Sequence, residues 1–307
     1  MSNNHDELRR TVLMIGGPDA GKSNFLARLW LALRLGDSAL ANSELPPDLE
    51  YLKTGASHLL KGEFAPHTSS DVHDQTPIPV KSSVGGKTLS WTLVVPDLSG
   101  EEILSIFRTR QWSEDWEGAI REGCGCLLFV RIDSDELIAP LDWVNCPINF
   151  GAPLPAVVPE KDTKNKAKTP TQVVLVDWLQ FLRKAFTEKV GGEYKPRVGV
   201  VVAAWDRAPN EQSQAGPREW VTANLPLLSQ YIEANDDEFE FTYFGVSVAE
   251  GDLKTDPEFK AAYLSGDPRR AGEVVHSLSG KVETSRDMTL PIAWALGTLD
   301  ANEDRST

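Results

Sequence analysis

A short apolar strand that runs directly into a glycine-rich loop constrains this chain more than any other feature. Residues 11–15 read Thr-Val-Leu-Met-Ile, and residues 16–23 follow as Gly-Gly-Pro-Asp-Ala-Gly-Lys-Ser, a G-x-x-x-x-G-K-S loop. The glycines let backbone N–H groups curl around a phosphate without a side chain in the way. Apolar residues at helical spacing then place a helix N-terminus at the same point, namely Phe25, Leu26, Leu29, Trp30 and Leu33. The sequence therefore predicts a phosphate-binding loop, or P-loop.

The residues of the P-loop have distinct predicted roles toward a nucleoside triphosphate. Lys22 is expected to reach the β- and γ-phosphates, and the Ser23 hydroxyl is expected to bind Mg²⁺. The remaining phosphate contacts are expected from the loop and the first turn of the helix. The candidate nucleotide-binding residues of this segment are Gly16, Gly17, Pro18, Asp19, Ala20, Gly21, Lys22, Ser23 and Asn24.

The composition is that of an ordinary globular protein with an excess of acidic residues. Of the 307 residues, 41% are hydrophobic and 25% are charged, which permits one sizeable core. The net charge of -14 disfavours nucleic acid and anionic membranes as partners. The sequence has no apolar stretch of ~18 residues and no signal-peptide pattern at its start. We therefore expect a soluble, cytoplasmic protein without a membrane span, and reduced rather than zinc-bound cysteines.

Strand and helix patterns alternate along the chain and predict the fold class. The order of elements is β-α-(α)-ββ-α-β-α-β-α-β-α, which predicts an α/β fold of the P-loop NTPase type. Its Ras-like sheet is expected to be mostly parallel and to be flanked by helices on both faces. The expected elements include a hairpin (78–83 with 87–95), a last strand (239–248), helices at 171–190 and 217–234, and a closing helix from its N-cap Thr289 to Leu299.

A single domain is expected to span residues 11–300, between short tails at 1–10 and 301–307. Within this domain, three stretches are additions: the first contains the second helix, predicted after Pro46 and Pro47, and the other two have the composition of loops. We interpret them as insertions, near residues 37–67, 139–170 and 250–287.

Ligands of such sheets bind beyond the carboxyl ends of the strands, where this chain carries several polar residues. Asp97 and Gly100 form a D-x-x-G after an apolar strand, which predicts a carboxylate near Mg²⁺ and a backbone N–H near a γ-phosphate. A solvated turn is the alternative. The Thr76 hydroxyl is placed to complete the Mg²⁺ shell, unless Thr76 is an ordinary loop threonine.

Two further strand ends supply candidate contacts to a nucleotide base. Asp206 ends its strand, where a carboxylate would accept hydrogen bonds from N1 and N2 of guanine. An ordinary strand-end aspartate is the alternative. The backbone of Ser247, Val248 and Ala249 would contact O6 of the same base.

In their order along the chain, residues 16–23, Thr76, 97–100, Asp206 and 247–249 resemble the five motifs of the TRAFAC class of P-loop GTPases. The added second helix, the late insertions and the closing Thr-Leu-Pro-Ile-Ala-Trp helix resemble more specifically the bacterial double-GTPase family, of double-GTPase 2 type. The resemblance implies Mg²⁺-dependent binding and hydrolysis of GTP by a molecular switch. It also implies a protein partner, either a second GTPase or an effector, in a bacterial conflict or defence system.

Two departures from the class pattern leave the nucleotide and its turnover open. The guanine motif Asn-Lys-x-Asp is replaced by Ala203-Ala204-Trp205-Asp206, in which Trp205 either covers the base or packs in the core. Glu101 stands where Ras-like proteins carry a glutamine, and its carboxylate would repel the γ-phosphate unless it acted through a cation. The alternatives are a nucleotide-binding interaction module without turnover and a P-loop ATPase. A P-loop phosphotransferase fits the 97–100 loop poorly.

Asp19 occupies the P-loop position at which cation-activated GTPases carry an asparagine, in a loop similar to their G-x-P-N-A-G-K-S. This resemblance implies a K⁺ ion held by the Asp19 side chain between the α- and γ-phosphates, in place of an arginine finger. The alternative is a hydrogen bond from a backbone N–H of the same turn to Asp19. The candidate catalytic residues are Lys22, Thr76, Gly100, Glu101 and Asp19, and the candidate metal ligands are Ser23, Thr76 and Asp97.

Overall fold

Nine strands form one continuous sheet in this computed structural model, which describes residues 8–44, 50–65, 76–84, 87–95, 100–111, 123–134, 137, 169–190 and 195–299. The strand order across the sheet is β2-β3-β4-β1-β5-β6-β7-β8-β9, numbered along the chain. The strands are β1 Leu8–Ile15, β2 Ala41–Asn42, β3 Thr76–Val84, β4 Lys87–Val95, β5 Gly123–Arg131, β6 Arg197–Ala203, β7 Glu240–Ser247, β8 Glu273–His276 and β9 Glu283–Ser285.

Helices connect these strands in the described part of the chain, together with a short 3-10 turn at Trp205–Arg207. The helices are α1 Lys22–Leu35, α2 Glu50–Leu60, α3 Gly100–Thr109, α4 Thr171–Val190, α5 Asn210–Ala215, α6 Pro217–Asn224, α7 Pro226–Glu233, α8 Pro257–Ser265 and α9 Leu290–Ala295. Among the residues described, none of these helices combines the length and apolar character needed to cross a membrane.

The centre of the sheet is parallel and both of its sides are antiparallel. Strands β4, β1, β5, β6 and β7 run in the same direction, whereas β2, β3, β8 and β9 pair antiparallel. This arrangement confirms the predicted α/β sheet, and the β3–β4 pair is the predicted hairpin. Five strands therefore end at the same edge, which we name the carboxyl edge.

Each face of the sheet is covered by helices, because the apolar side chains of the central strands alternate between the faces. In β1, Val12 and Met14 join the cluster formed with α1, α2 and α9, whereas Leu13 and Ile15 join the cluster on α4, α6 and α7. A strand that is apolar on both faces is buried on both, as its continuous hydrophobic sequence predicts.

The late part of the chain contains more regular structure than its sequence predicts. Strands β8 and β9 follow β7, so the prediction that 239–248 forms the last strand is wrong. These strands have four and three residues, too few for an alternating pattern to be recognised. The helix predicted over 217–234 is two helices, because Pro226 lacks an N–H donor and begins a new helix.

Thr289 does not cap α9 with its side chain, contrary to the prediction. Its hydroxyl donates to Oδ1 of Asp287 at 2.6 Å and accepts from the Leu40 amide at 3.1 Å. The helix ends at Ala295, short of the predicted Leu299. Thr289 therefore fixes the start of α9 to the chain that leaves α1.

Other predicted segments lie partly outside the described residues. Of the predicted insertion at 139–170, only residues 169 and 170 are described. The predicted tail at 301–307 lies wholly outside them, and β1 begins inside the predicted tail at 1–10.

A completely buried arginine joins the P-loop helix to the late part of the chain. From α1, Arg28 donates through Nε to the Val248 carbonyl at 2.8 Å, through Nη1 to the Pro268 carbonyl at 2.5 Å, and through Nη2 to the Tyr263 hydroxyl at 2.7 Å. The Tyr263 hydroxyl donates in turn to the Leu59 carbonyl of α2 at 3.0 Å. Burial lowers the pKa of the Arg28 guanidinium, and Tyr263 opposes that shift.

We expect Arg28→Ala to lower the free energy of unfolding by about 3 kcal/mol or more, because it removes the donors of three hydrogen bonds and opens a cavity in the place of a completely buried side chain. Urea denaturation measures this change. The matched control is Arg34→Ala on the same helix, where the side chain is exposed and the expected loss is below about 1 kcal/mol. A loss below 1 kcal/mol for Arg28→Ala would contradict the structural role of this residue.

Candidate functional site

The P-loop lies at the carboxyl edge between β1 and α1, and two of its glycines are required for different reasons. A Cβ on Gly16 would lie 2.7 Å from the carbonyl oxygen of Phe129, so the loop packs directly against the β5 backbone. Gly21 has a φ of 94°, a left-handed conformation that other residues rarely adopt. A Cβ on Gly17 would meet open space. Gly16 and Gly21 thus set the shape of the loop.

The Lys22 side chain folds back over this loop. Its ammonium donates to the carbonyls of Gly16 at 2.7 Å and Gly17 at 3.1 Å, and the residue is only 7% exposed. It also begins a 14-residue helix, whose N-terminal N–H groups carry partial positive charge. A buried ammonium beside such groups fits an anionic ligand such as a triphosphate.

Asp19 has a charged partner that the sequence analysis did not find. Its φ is 56°, and its Oδ1 accepts a hydrogen bond from Nη1 of Arg131 at 2.7 Å. Arg131 is the last residue of β5. A single charged residue in the otherwise apolar run 126–132 was the sequence signal that could have identified it.

Asn24 binds the chain that follows α2. Its side-chain oxygen accepts from the Ala65 amide at 2.8 Å. Ala65 is the last described residue before the gap that ends at Thr76. This bond therefore holds the first turn of the P-loop helix to the last described residue before Thr76.

Two of the candidate metal ligands belong to elements that meet at the carboxyl edge. Ser23 is the second residue of α1, and Thr76 begins β3 opposite Val95, the last residue of β4. Asp97 lies outside the described residues, whereas Gly100 and Glu101 begin α3. The structure thus brings the backbone of Thr76 to the edge where the P-loop lies.

At the other end of the same edge, the two candidate base loops contact each other. The Ser247 hydroxyl donates to Oδ1 of Asp206 at 2.5 Å and accepts from the Glu250 amide at 2.8 Å. The Val248 carbonyl accepts from Arg28, so it turns toward α1. Asp206 is exposed, and within the described part of the chain its carboxylate is bonded to Ser247 through Oδ1.

Trp205 packs in the core and does not lie over a base. It is 2% exposed and belongs to the cluster on the α4 face of the sheet. A Cβ on Gly245 of β7 would lie 2.4 Å from Cδ2 of Trp205, so the indole rests on the β7 backbone. Of the two roles considered for Trp205, the structure supports core packing.

Acidic side chains surround the candidate base loops. Oε1 of Glu250 accepts from the Gly272 amide at 2.9 Å and pairs with Arg286. Burial raises the pKa of the Glu273 carboxyl; the nearby Glu250 and Asp206 raise it further, and Arg286 opposes them. This end of the edge is rich in hydrogen-bond acceptors and suits a ligand with N–H donors.

Comparison with known proteins finds similar solved structures and a matching family model. The Methanosarcina barkeri Roco2 RocCORdC structure bound to GDP shares 13% identity with this chain, at a TM-score of 0.29. That alignment covers 84% of this chain but only 47% of the Roco2 chain, so this chain spans about half of it. No curated protein matches.

The family model that matches is Double-GTPase 1, over residues 13–295. The match runs from the middle of β1 to the end of α9 and so includes the P-loop and every strand-end loop of the carboxyl edge. It confirms the predicted double-GTPase family, with type 1 in place of the type 2 group named from the sequence. This chain belongs to the Double-GTPase 1 family.

Proposed function

We propose that this protein binds GTP and hydrolyses it to GDP and phosphate, and that this cycle switches a partner protein. The observation that carries the proposal is the buried Lys22 ammonium, which lies over the P-loop carbonyls at the start of α1. Family membership supports guanine nucleotide binding. We further propose that the switch serves a bacterial conflict system, as the resemblance implies.

Each candidate residue has a proposed part in the reaction. Lys22 and the P-loop amides hold the β- and γ-phosphates, and Gly100 offers a backbone N–H to the γ-phosphate. Ser23, Thr76 and Asp97 would hold Mg²⁺, which neutralises charge on the β- and γ-oxygens when bound. Glu101 follows Gly100 at the position from which a side chain would orient the attacking water.

We expect Lys22→Ala to lower the rate of phosphate release from GTP by about 100-fold or more, because it removes the cation that binds the transferred phosphoryl group. Phosphate release is measured with GTP and with ATP. Lys184→Ala, an exposed lysine on α4, is the control and should leave the rate unchanged.

Three outcomes of this measurement distinguish the alternatives. Equal rates in wild type and Lys22→Ala would contradict hydrolysis at this site. Nucleotide binding without turnover in the wild type would favour the interaction module, and faster turnover of ATP would favour a P-loop ATPase.

Asp206 and Ser247 are the proposed determinants of guanine preference. The Ser247 hydroxyl holds Oδ1 of Asp206, and we propose that the second carboxylate oxygen contacts the base. A carboxylate matches the N1–H and N2 amino donors of guanine, whereas an asparagine amide would place an N–H donor against the amino group.

Asp206→Asn should therefore weaken GTP binding by about 10- to 100-fold and strengthen xanthosine triphosphate binding, since xanthine carries a carbonyl at C2. Fluorescent analogues of both nucleotides measure the two affinities. Asp237→Asn is the control, because Asp237 lies in the turn before β7, at the opposite edge of the sheet. Unchanged GTP affinity in Asp206→Asn would refute this base contact.

The proposed partner is a second GTPase or an effector that contacts the segment at 139–170. The motivation is the size of this segment, which contributes none of the candidate site residues. Pull-downs from the native host, with the chain bound to GDP or to a non-hydrolysable GTP analogue, should recover a partner preferentially in one nucleotide state. Deletion of residues 139–170 should abolish recovery, and recovery of the same partner after deletion would refute this role.

The sequence also suggested that Asp19 binds K⁺ beside the phosphates. In the structure this carboxylate pairs with the Arg131 guanidinium, which is a second source of positive charge at the same loop. A K⁺ ion and the Arg131 guanidinium are therefore competing sources of positive charge at this loop, and a comparison of hydrolysis in different salts distinguishes them.

A further inference from the structure

Arg131 lies on the P-loop side of the sheet. Strand residues two apart share a face, so Arg131 shares the face of Phe129. The Phe129 ring packs on Phe25 of α1 at a centroid distance of 5.3 Å, and its carbonyl contacts the position of Gly16. Strand β5 also runs past the end of β1, because Ile15 pairs with Leu128. The Arg131 side chain thus begins beside the P-loop and reaches Asp19.

The charges of Asp19 and Arg131 have opposite effects on a bound triphosphate. An unpaired Asp19 carboxylate would repel the phosphates, and the Arg131 guanidinium compensates this charge. A guanidinium has five N–H donors, and its contact within the described residues is the bond from Nη1 to Asp19. Among the residues that the structure describes, this contact leaves other donors of the guanidinium for phosphate oxygens.

We infer that Arg131 is a catalytic residue, a cation supplied by the chain itself to stabilise charge on the γ-phosphate during hydrolysis. In that step the water oxygen forms a bond to the γ-phosphorus, and the bond from this phosphorus to the bridging oxygen breaks, which leaves GDP and phosphate. The water proton passes to phosphate or solvent, and the guanidinium stays protonated. Asp19 is a positioning residue that holds Arg131. This inference rests on the proposed function.

A purely structural ion pair is the competing explanation. The Arg131 and Asp19 side chains are 29% and 36% exposed, and ion pairs with this exposure contribute little to stability. The Arg131→Ala variant is therefore expected to fold, so its hydrolysis rate reports on catalysis. The matched control is Arg183→Ala, which removes an exposed arginine paired with Glu238, away from the carboxyl edge.

The test measures single-turnover GTP hydrolysis and the affinity for fluorescent GDP. Arg131→Ala should hydrolyse GTP at least about 100-fold more slowly, while its GDP affinity stays within about threefold. Arg131→Lys should have an intermediate rate, because lysine keeps the charge but not the planar fork. Asp19→Ala alone should slow GTP hydrolysis. Added to Arg131→Ala, it should slow hydrolysis little further, as expected for coupled residues. Arg183→Ala should match the wild type.

Salt and a transition-state analogue complete the test. The wild-type rate should be equal in KCl, NaCl and choline chloride at fixed ionic strength, because the cation is part of the chain. Should the wild type not turn over, the complex of fluorescent GDP with aluminium fluoride is the readout. It should form in the wild type and fail to form in Arg131→Ala.

Three results would overturn the inference. The first is an Arg131→Ala rate within threefold of the wild type, and the second is a wild-type rate at least tenfold higher in K⁺ than in choline. The third is an aluminium fluoride complex that forms equally in both proteins or in neither. The proposed function is tested separately, by the hydrolysis rate of Lys22→Ala and by nucleotide binding.

Discussion

The buried guanidinium of Arg28 is the interaction on which the arrangement of the site depends. It is completely buried, and its hydrogen bonds go to two carbonyls and a tyrosine hydroxyl, none of which carries a charge. A buried cation is tolerated only where its donors are satisfied, so α1, the β7 loop and the chain around α8 must keep their relative positions. Arg28 thereby connects α1, which follows the phosphate loop, to the candidate base loop at the Val248 carbonyl.

The sequence predicted those features that depend on local patterns. The P-loop followed from residue types at fixed spacing, and the parallel strands followed from apolar runs such as 126–132 and 197–204. The predicted hairpin agrees with the position of Thr76 opposite Val95, the last residue of β4. The hairpin alone does not predict that this end of β4 lies at the same edge of the sheet as the P-loop. Patterns of this kind can be recognised in a sequence because they involve residues that are close together in the chain.

The features that the sequence did not predict depend on contacts between distant residues. Asp19 meets Arg131 across 112 positions, and Arg28 meets Tyr263 across 235. Strands β8 and β9 are too short to carry a recognisable period, and they form only because β7 offers a free edge to pair with. Trp205 was ambiguous for the same reason, since its role is set by the absence of a side chain at Gly245 on the neighbouring strand.

The two outermost strands of the sheet are very short, with two residues in β2 and three in β9. Short edge strands offer few unpaired backbone groups, which protects a sheet from adding foreign strands. A partner of this protein would therefore gain little from backbone pairing along either edge, the mode by which many sheets capture extended peptides. For the proposed partner, recognition is therefore expected from side chains on loops and helices, whose surface substitution would change specificity while the sheet itself stays constant.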